Sequence, residues 1–222
     1  MELGLLLLSF LLVLGAQLLV SGTYSKYSTT ENKKRLTGFD VAREILDRNG
    51  LKNITIVETK GKMTDHYDPR RKVVRLSSEV YHGTTISSVA IAAHECGHAI
   101  QHNKKYAPLM IRNTIVPVVN LASRIGYVVL VIGILASAFN VALIGIILLA
   151  ATLVFQLITL PVEFNASSRA IRILEKEKLI ETSEKQPVKN MLTAAALTYV
   201  ASLISNMLEI LRLFLINNRN RD

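Results

Sequence analysis

From Ile125 to Ile158 the chain carries no charged side chain over 34 consecutive positions. A bilayer core takes ~20 helical residues, so the run is too long for one ordinary crossing and about right for two short ones. Inside hydrocarbon every backbone N–H and C=O must be bonded within the protein, which a helix achieves within a single segment. Its weakest apolar point is Ser137-Ala138-Phe139-Asn140, and a hairpin is expected there. The crossing before that turn then begins ahead of Ile125 and carries Arg124 near its end, either snorkelling or in the interface. Leu3 to Val20 is a second uncharged run, of 18 residues. Only Met1 and Glu2 precede it and no small-residue cleavage site follows, so it reads as an uncleaved anchor. Met191 to Leu208 is uncharged too, with Thr198, Ser202, Ser205 and Asn206 roughly on one side; it is expected to be a fourth crossing, the alternative being a helix that packs over the site or lies at the interface. The fold class is therefore a mainly α multipass membrane protein with about four transmembrane helices.

The formal net charge of +9 on 222 residues invites a nucleic-acid reading. Lys and Arg are interspersed with Asp and Glu, and no aromatic-basic module appears, so a nucleic-acid partner is excluded and a lipid bilayer explains the charge. Positive charge retained inside predicts that residues 24–112 and 164–189 are cytoplasmic and the Ser137 turn is outside. Within the first of these, Tyr24 to Arg35 reads as a mobile linker. The single cysteine, Cys96, excludes an internal disulfide and reads as a small core residue.

Ala92-Ala93-His94-Glu95-Cys96-Gly97-His98 holds H-E-x-x-H inside the proline-free stretch Ile86 to Gln101. Residues four apart stand one turn and ~6 Å apart on one helix face, so His94 and His98 can grip one Zn2+ at ~2 Å. Glu95 lies beside that face and is placed to accept a proton from water that the metal acidifies. Gly97 costs ~1 kcal/mol relative to alanine inside a helix, which asks for close approach of another backbone or a substrate.

A third ligand must come from elsewhere. His102 continues the i, i+4, i+8 series, but eight residues of helix rise ~12 Å and cannot converge on one ion unless the helix breaks first. Pro161 suits the first turn of a helix or a kink in one, and the residues after it are helix-compatible to about Lys178. On that segment Glu163, Ala166, Ser167 and Ala170 share one face, an acid on small side chains that matches Gly97. Glu163 is the leading candidate.

Ahead of the metal helix, Phe39 to Asn49 has helical spacing with Gly50 at its C-terminal cap, and Ile54 to Val57 and Lys72 to Leu76 read as strands. A small sheet beside the metal helix could pair with an extended substrate. Between the strands, His66 and Tyr67 lie in a turn-rich stretch; they read equally as transition-state hydrogen-bond donors or as surface turn residues. Pro108 and Pro117 are expected to interrupt the chain, and Pro187 to break a solvated loop.

VAIAAHECGHAIQ at 89–101, TLPVEFNASSRA at 159–170, DHYDPRRKVVRLS at 65–77 and AAALTYVA at 194–201 together resemble the YugP-type membrane zinc metallopeptidases. The resemblance implies a gluzincin-like α+β site with one Zn2+ per chain, ligands His94, His98 and Glu163, and Glu95 as general base. It departs at Cys96, where an aliphatic residue is usual, and at Asn165, where an aspartate is usual. An amide that replaced a carboxylate on a ligand histidine would weaken catalysis rather than zinc binding. The expected organisation is an anchor over 1–22, peptidase parts over 23–113 and 161–190, a transmembrane hairpin over 114–160, and a last helix with its tail over 191–222. The expected function is a membrane-bound zinc endopeptidase acting on protein or peptide substrates. The alternative is a catalytically weak, zinc-stabilised scaffold, against which the retained Glu95 argues. Cleavage inside the bilayer is disfavoured by Lys104, Lys105 and Arg112, which follow His98 within a few turns.

Overall fold

The computed structural model describes residues 2–219; the first residue of the predicted anchor and the last three of the C-terminal tail lie outside it. The chain divides into two compact units, each considered by itself. One takes Leu18–Leu109 and Val162–Ala196; the other takes Met110–Pro161 with the described parts of Met1–Gln17 and Leu197–Asp222.

The first unit is the folded domain. Helix α1 (Glu2–Tyr27) enters it, followed by α2 (Gly38–Arg48), β1 (Thr55–Thr59), β2 (His66–Asp68), β3 (Val73–Ser77), the single turn α3 (Ser78–Tyr81) and α4 (Ile86–Asn103). Thr37 and Asp40 start α2 with a reciprocal capping box, the Thr37 hydroxyl accepting from the Asp40 amide at 3.0 Å and the Asp40 carboxylate accepting from the Thr37 amide at 2.9 Å. Its apolar stripe, Val41, Ala42, Ile45 and Leu46, is wholly buried against the Val89 to Cys96 face of α4. Cys96 is part of that face, its thiol against the Ala42 carbonyl, and burial raises the thiol pKa far above its ordinary value. It is a core residue, as read from the sequence.

The sheet has the order β1-β3-β2, with β1 and β3 parallel and β2 antiparallel to β3. His66 and Tyr67 therefore sit on an edge strand and not in a turn. Asp68 and Pro69 mark the end of that strand rather than the middle of a loop. The Tyr24 to Arg35 segment is also not the mobile linker expected. Tyr24 to Tyr27 complete α1, and the buried Asn32 amide donates to the carbonyls of Leu36 and Thr84 at 2.8 and 2.6 Å. A buried amide so satisfied fixes its loop.

The second unit holds α5 (Ala107–Leu135), the first part of α6 (Phe139–Lys176) and the later part of α7 (Lys185–Arg219). Helices α1, α5 and α6, and α7 with the 3-10 turn before it, are each long and apolar enough to cross a membrane. The α5–α6 turn falls at Ala136 to Ala138, at the expected place. Ser137 adopts φ +52 there while Ala138 N–H bonds back to Gly133 O at 2.8 Å, a Schellman closure. Gly133 and Gly145 let the two helices meet: a Cβ on either would come within 2.3 and 2.5 Å of the Ala142 and Leu130 amides. Asn206 of α7 donates to Thr152 and Gln156 of α6 at 2.7 and 3.0 Å, so the polar side of the last helix is a helix contact.

Pro108, Pro117 and Pro187 differ from expectation, while Pro161 takes one of the two places read for it, inside a helix. Pro117 and Pro161 lie inside α5 and α6, and Pro108 and Pro187 lie in the first turns of α5 and α7. A first-turn N–H has no intrahelical partner to lose, so proline starts these helices instead of breaking them.

Candidate metal centre

Glu163 follows Pro161 on α6, and α6 packs on α4 at the glycine. A Cβ on Gly97 would meet the Ala166 carbonyl at 2.7 Å and the Ala166 Cα at 3.2 Å. Only hydrogen at 97 allows this approach to the Ala166 backbone, and Ala166, itself fully buried, belongs to the small-residue stripe read from the sequence. The approach brings Glu163, 2% exposed, to the face that carries His94 and His98.

Three ligand atoms converge there. His94 Nε2 and His98 Nε2 are 3.1 Å apart, and Glu163 Oε2 lies 3.3 Å from the first and 3.4 Å from the second. Ligands ~2.0–2.1 Å from a tetrahedral zinc stand about 3.3–3.4 Å from one another. Two imidazoles and a carboxylate at these separations are a donor set that could hold one metal ion, and this is the group of that kind found among the described residues. Such a set has the three-protein-ligand form that leaves a fourth position open.

Each histidine is oriented from behind. Gln101 Oε1 stands 3.0 Å from His98 Nδ1, and Ser167 Oγ stands 3.2 Å from His94 Nδ1. The Gln101 amide cannot be reversed, because its nitrogen donates to the Val162 carbonyl at 2.8 Å and to Asn165 Oδ1 at 3.0 Å. Asn165 Oδ1 is itself held as acceptor by Arg169 Nε at 2.6 Å. With its oxygen facing His98, Gln101 keeps the proton on Nδ1 and leaves the Nε2 lone pair for a metal. Asn165 thus stands one step behind the histidine, supporting it through Gln101. Its Oδ1 accepts from the Gln101 amide, whose own oxygen faces His98 Nδ1. Burial by itself lowers the His98 pKa, but the Glu163 hydrogen bond and the charges of Glu95 and Glu163 outweigh it, and the net shift is upward. Zinc competes with that proton, so metal loading weakens as pH falls.

Glu95 is buried, 8% exposed, one position round the helix from His94. Its charge reaches Asp65, whose carboxyl is raised by burial against the opposing hydrogen bonds from Ser77. His66 is exposed, its Nδ1 against the Thr64 carbonyl, and Tyr67 hydrogen-bonds His102 Nδ1 at 2.9 Å. His102 lies inside α4 and outside the three-ligand group. The helix does end just after it, on a Schellman closure with Lys105 at φ +50 and no glycine.

Sequence reading missed Gln101 and Asp65. The signal for Gln101 was its place three residues after His98, on the side of α4 that turns towards α6. Removing it gives a direct check: Gln101→Ala is expected to weaken zinc binding about 10- to 100-fold, while Asn165→Asp, which keeps the acceptor for the Gln101 amide, holds it near wild type. Competition against a fluorescent chelator reads both.

The family model described as "Putative neutral zinc metallopeptidase" matches residues 3–218. The chain is also 47% identical over 207 residues to the "Putative membrane protease YugP" of Bacillus subtilis (strain 168), across 93% of this chain and 92% of the relative. No solved structure matches it. A match that runs from the first helix to the last, and so takes in the His-His-Glu group together with all four apolar helices, makes this chain a member of the neutral zinc metallopeptidase family.

Proposed function

We propose that the protein is a zinc-dependent endopeptidase of the membrane, with a peptidase domain built from residues 23–113 and 161–190 and facing the cytoplasm. The observation that carries the reading is the 3.1–3.4 Å triangle of His94, His98 and Glu163 ligand atoms with a buried Glu95 beside it. A zinc ion bound there supplies Lewis acidity, lowering the pKa of water and polarising the scissile carbonyl. Glu95 accepts the proton of the attacking water and returns it to the leaving amine, so one carboxylate serves as base and then as acid. Gln101 and Ser167 hold the two imidazoles still during both steps. A scaffold would need the ligands and would have no use for Glu95. Zinc analysis of the purified protein with a casein digest, with and without chelator, tests the reading: bound zinc with chelator-sensitive cleavage supports it, and bound zinc without cleavage ends it.

Orientation has its own measurement. Lys and Arg number 17 from Ser21 to Gly126 and six from Pro161 to Asn190, with none in the Ser137 turn. Cys96 is fully buried, so a cysteine placed at Ser28 is the one available to reagent. Ser28→Cys is expected to resist an impermeant maleimide in intact cells and to react after permeabilisation; labelling from outside reverses the assignment.

A further inference from the structure

Beyond the metal centre, the folded domain contains an open cavity of about 560 Å³ that the proposed chemistry does not use. Its walls include Ser25 from α1 and Ser28 just after it, Thr85 and Ser87 from the start of α4, and Lys62 and Met63 from the loop between β1 and β2. Ser87 precedes His94 by seven residues, which is within ~20° of two full turns and ~10 Å along the axis. The cavity therefore opens on the face of α4 that bears the ligand histidines, towards the N-terminus of that helix.

Strand β2 relates the cavity to a substrate. It is the edge of the sheet, with one side of its backbone unpaired by any strand, and it packs on α4. On it Tyr67 meets His102 at 2.9 Å, while Met63, three residues before the strand, shares the cavity wall with Ser87. Strand and helix thus run in the same sense. A polypeptide added antiparallel to β2, the more stable pairing, runs from the His102 end across the ligand histidines towards the cavity. At ~3.3 Å per residue, ~10 Å is three positions.

The charges decide what fits. Lys62 Nζ pairs with Glu79 Oε1 at 2.7 Å, and the Tyr24 hydroxyl donates to Glu79 Oε2 at 2.9 Å. Both charges of the wall are satisfied by each other, and the remaining polar groups are hydroxyls that can donate or accept. A charged side chain entering there would find both wall charges already paired and gain no ionic partner.

We propose that this cavity is the subsite for the substrate residues third and fourth beyond the scissile bond on its C-terminal side, and that it selects small or hydroxyl-bearing uncharged residues there. The proposal rests on the peptidase reading given above. Its test is a peptide-library digest by the full-length, zinc-loaded protein, with cleavage sites sequenced by mass spectrometry and zinc measured in every sample. Wild type should cut where those two positions are uncharged. Lys62→Ala unmasks Glu79 and should raise relative kcat/KM for Lys or Arg at those positions by roughly fivefold. Ser25→Trp, a surface change on α1 that fills the cavity, should lower kcat/KM by about tenfold for peptides extending four residues past the cut and spare those ending after two. Cleavage patterns unchanged in both zinc-replete variants, or changed on the N-terminal side of the bond instead, would overturn the subsite while leaving the peptidase standing. Zinc-replete wild type that cuts no peptide would end the peptidase reading, and the subsite with it.

Discussion

Glu95→Gln is expected to keep one zinc per chain and to lower peptide hydrolysis by about 10²–10⁴-fold, the usual contribution of a positioned general base. The amide matches the carboxylate in size, and Glu95 is not among the three atoms that converge at 3.1–3.4 Å. Ligation should therefore be untouched. Zinc retained with turnover lost separates the base from the ligands. Hydrolysis persisting near the wild-type rate in the zinc-replete variant would sink the assignment of Glu95.

Much of the architecture was legible because hydrophobic runs and metal spacing are local in sequence. The uncharged stretch around Ser137 announced two helices and a turn, and the i, i+4 spacing of His94 and His98 announced one face. Even the long-range contact between α4 and α6 left a trace, because Gly97 and the Glu163-Ala166-Ser167-Ala170 stripe are unfavourable or uninformative choices unless two backbones meet. What was not legible depends on partners distant in sequence. Asn165 looked like a histidine partner because the glutamine between them is visible only when α4 and α6 are docked. His66 and Tyr67 read as a turn because a three-residue edge strand is too short to show alternation, and it is β3 that makes it a strand. Tyr24 to Arg35 read as mobile because its composition is polar, whereas the buried Asn32 has carbonyl partners 4 and 52 residues away. The prolines misled for a simpler reason. Their cost depends on position within a helix, and the helix starts at Ala107 and Lys185 carried no capping residue to reveal that position.

Zinc content is expected to collapse in Glu163→Ala and to remain near wild type in His102→Ala. Glu163 Oε2 is within 3.4 Å of both Nε2 atoms, and its side chain is 3% exposed, so solvent cannot readily supply a replacement anion. Two imidazoles alone would have to hold the ion, and the loss should exceed the ~10- to 100-fold that follows from removing an outer-shell partner. The size of that gap is the useful reading, since Gln101→Ala acts through one ligand and Glu163→Ala deletes another. His102 lies on the same helix and is two turns, ~12 Å, from His94, with its ring nitrogen engaged by Tyr67. Its removal should cost about 1 kcal/mol of stability, one hydrogen bond, seen as a small fall in Tm with zinc still bound. Glu163→Gln completes the set: the amide keeps the volume and one oxygen but loses the charge that offsets the ion, so zinc should fall here too, by less than in Glu163→Ala. Loss of zinc in His102→Ala with retention in Glu163→Ala would place the third ligand on α4 and would leave the close approach at Gly97 without a role in metal binding.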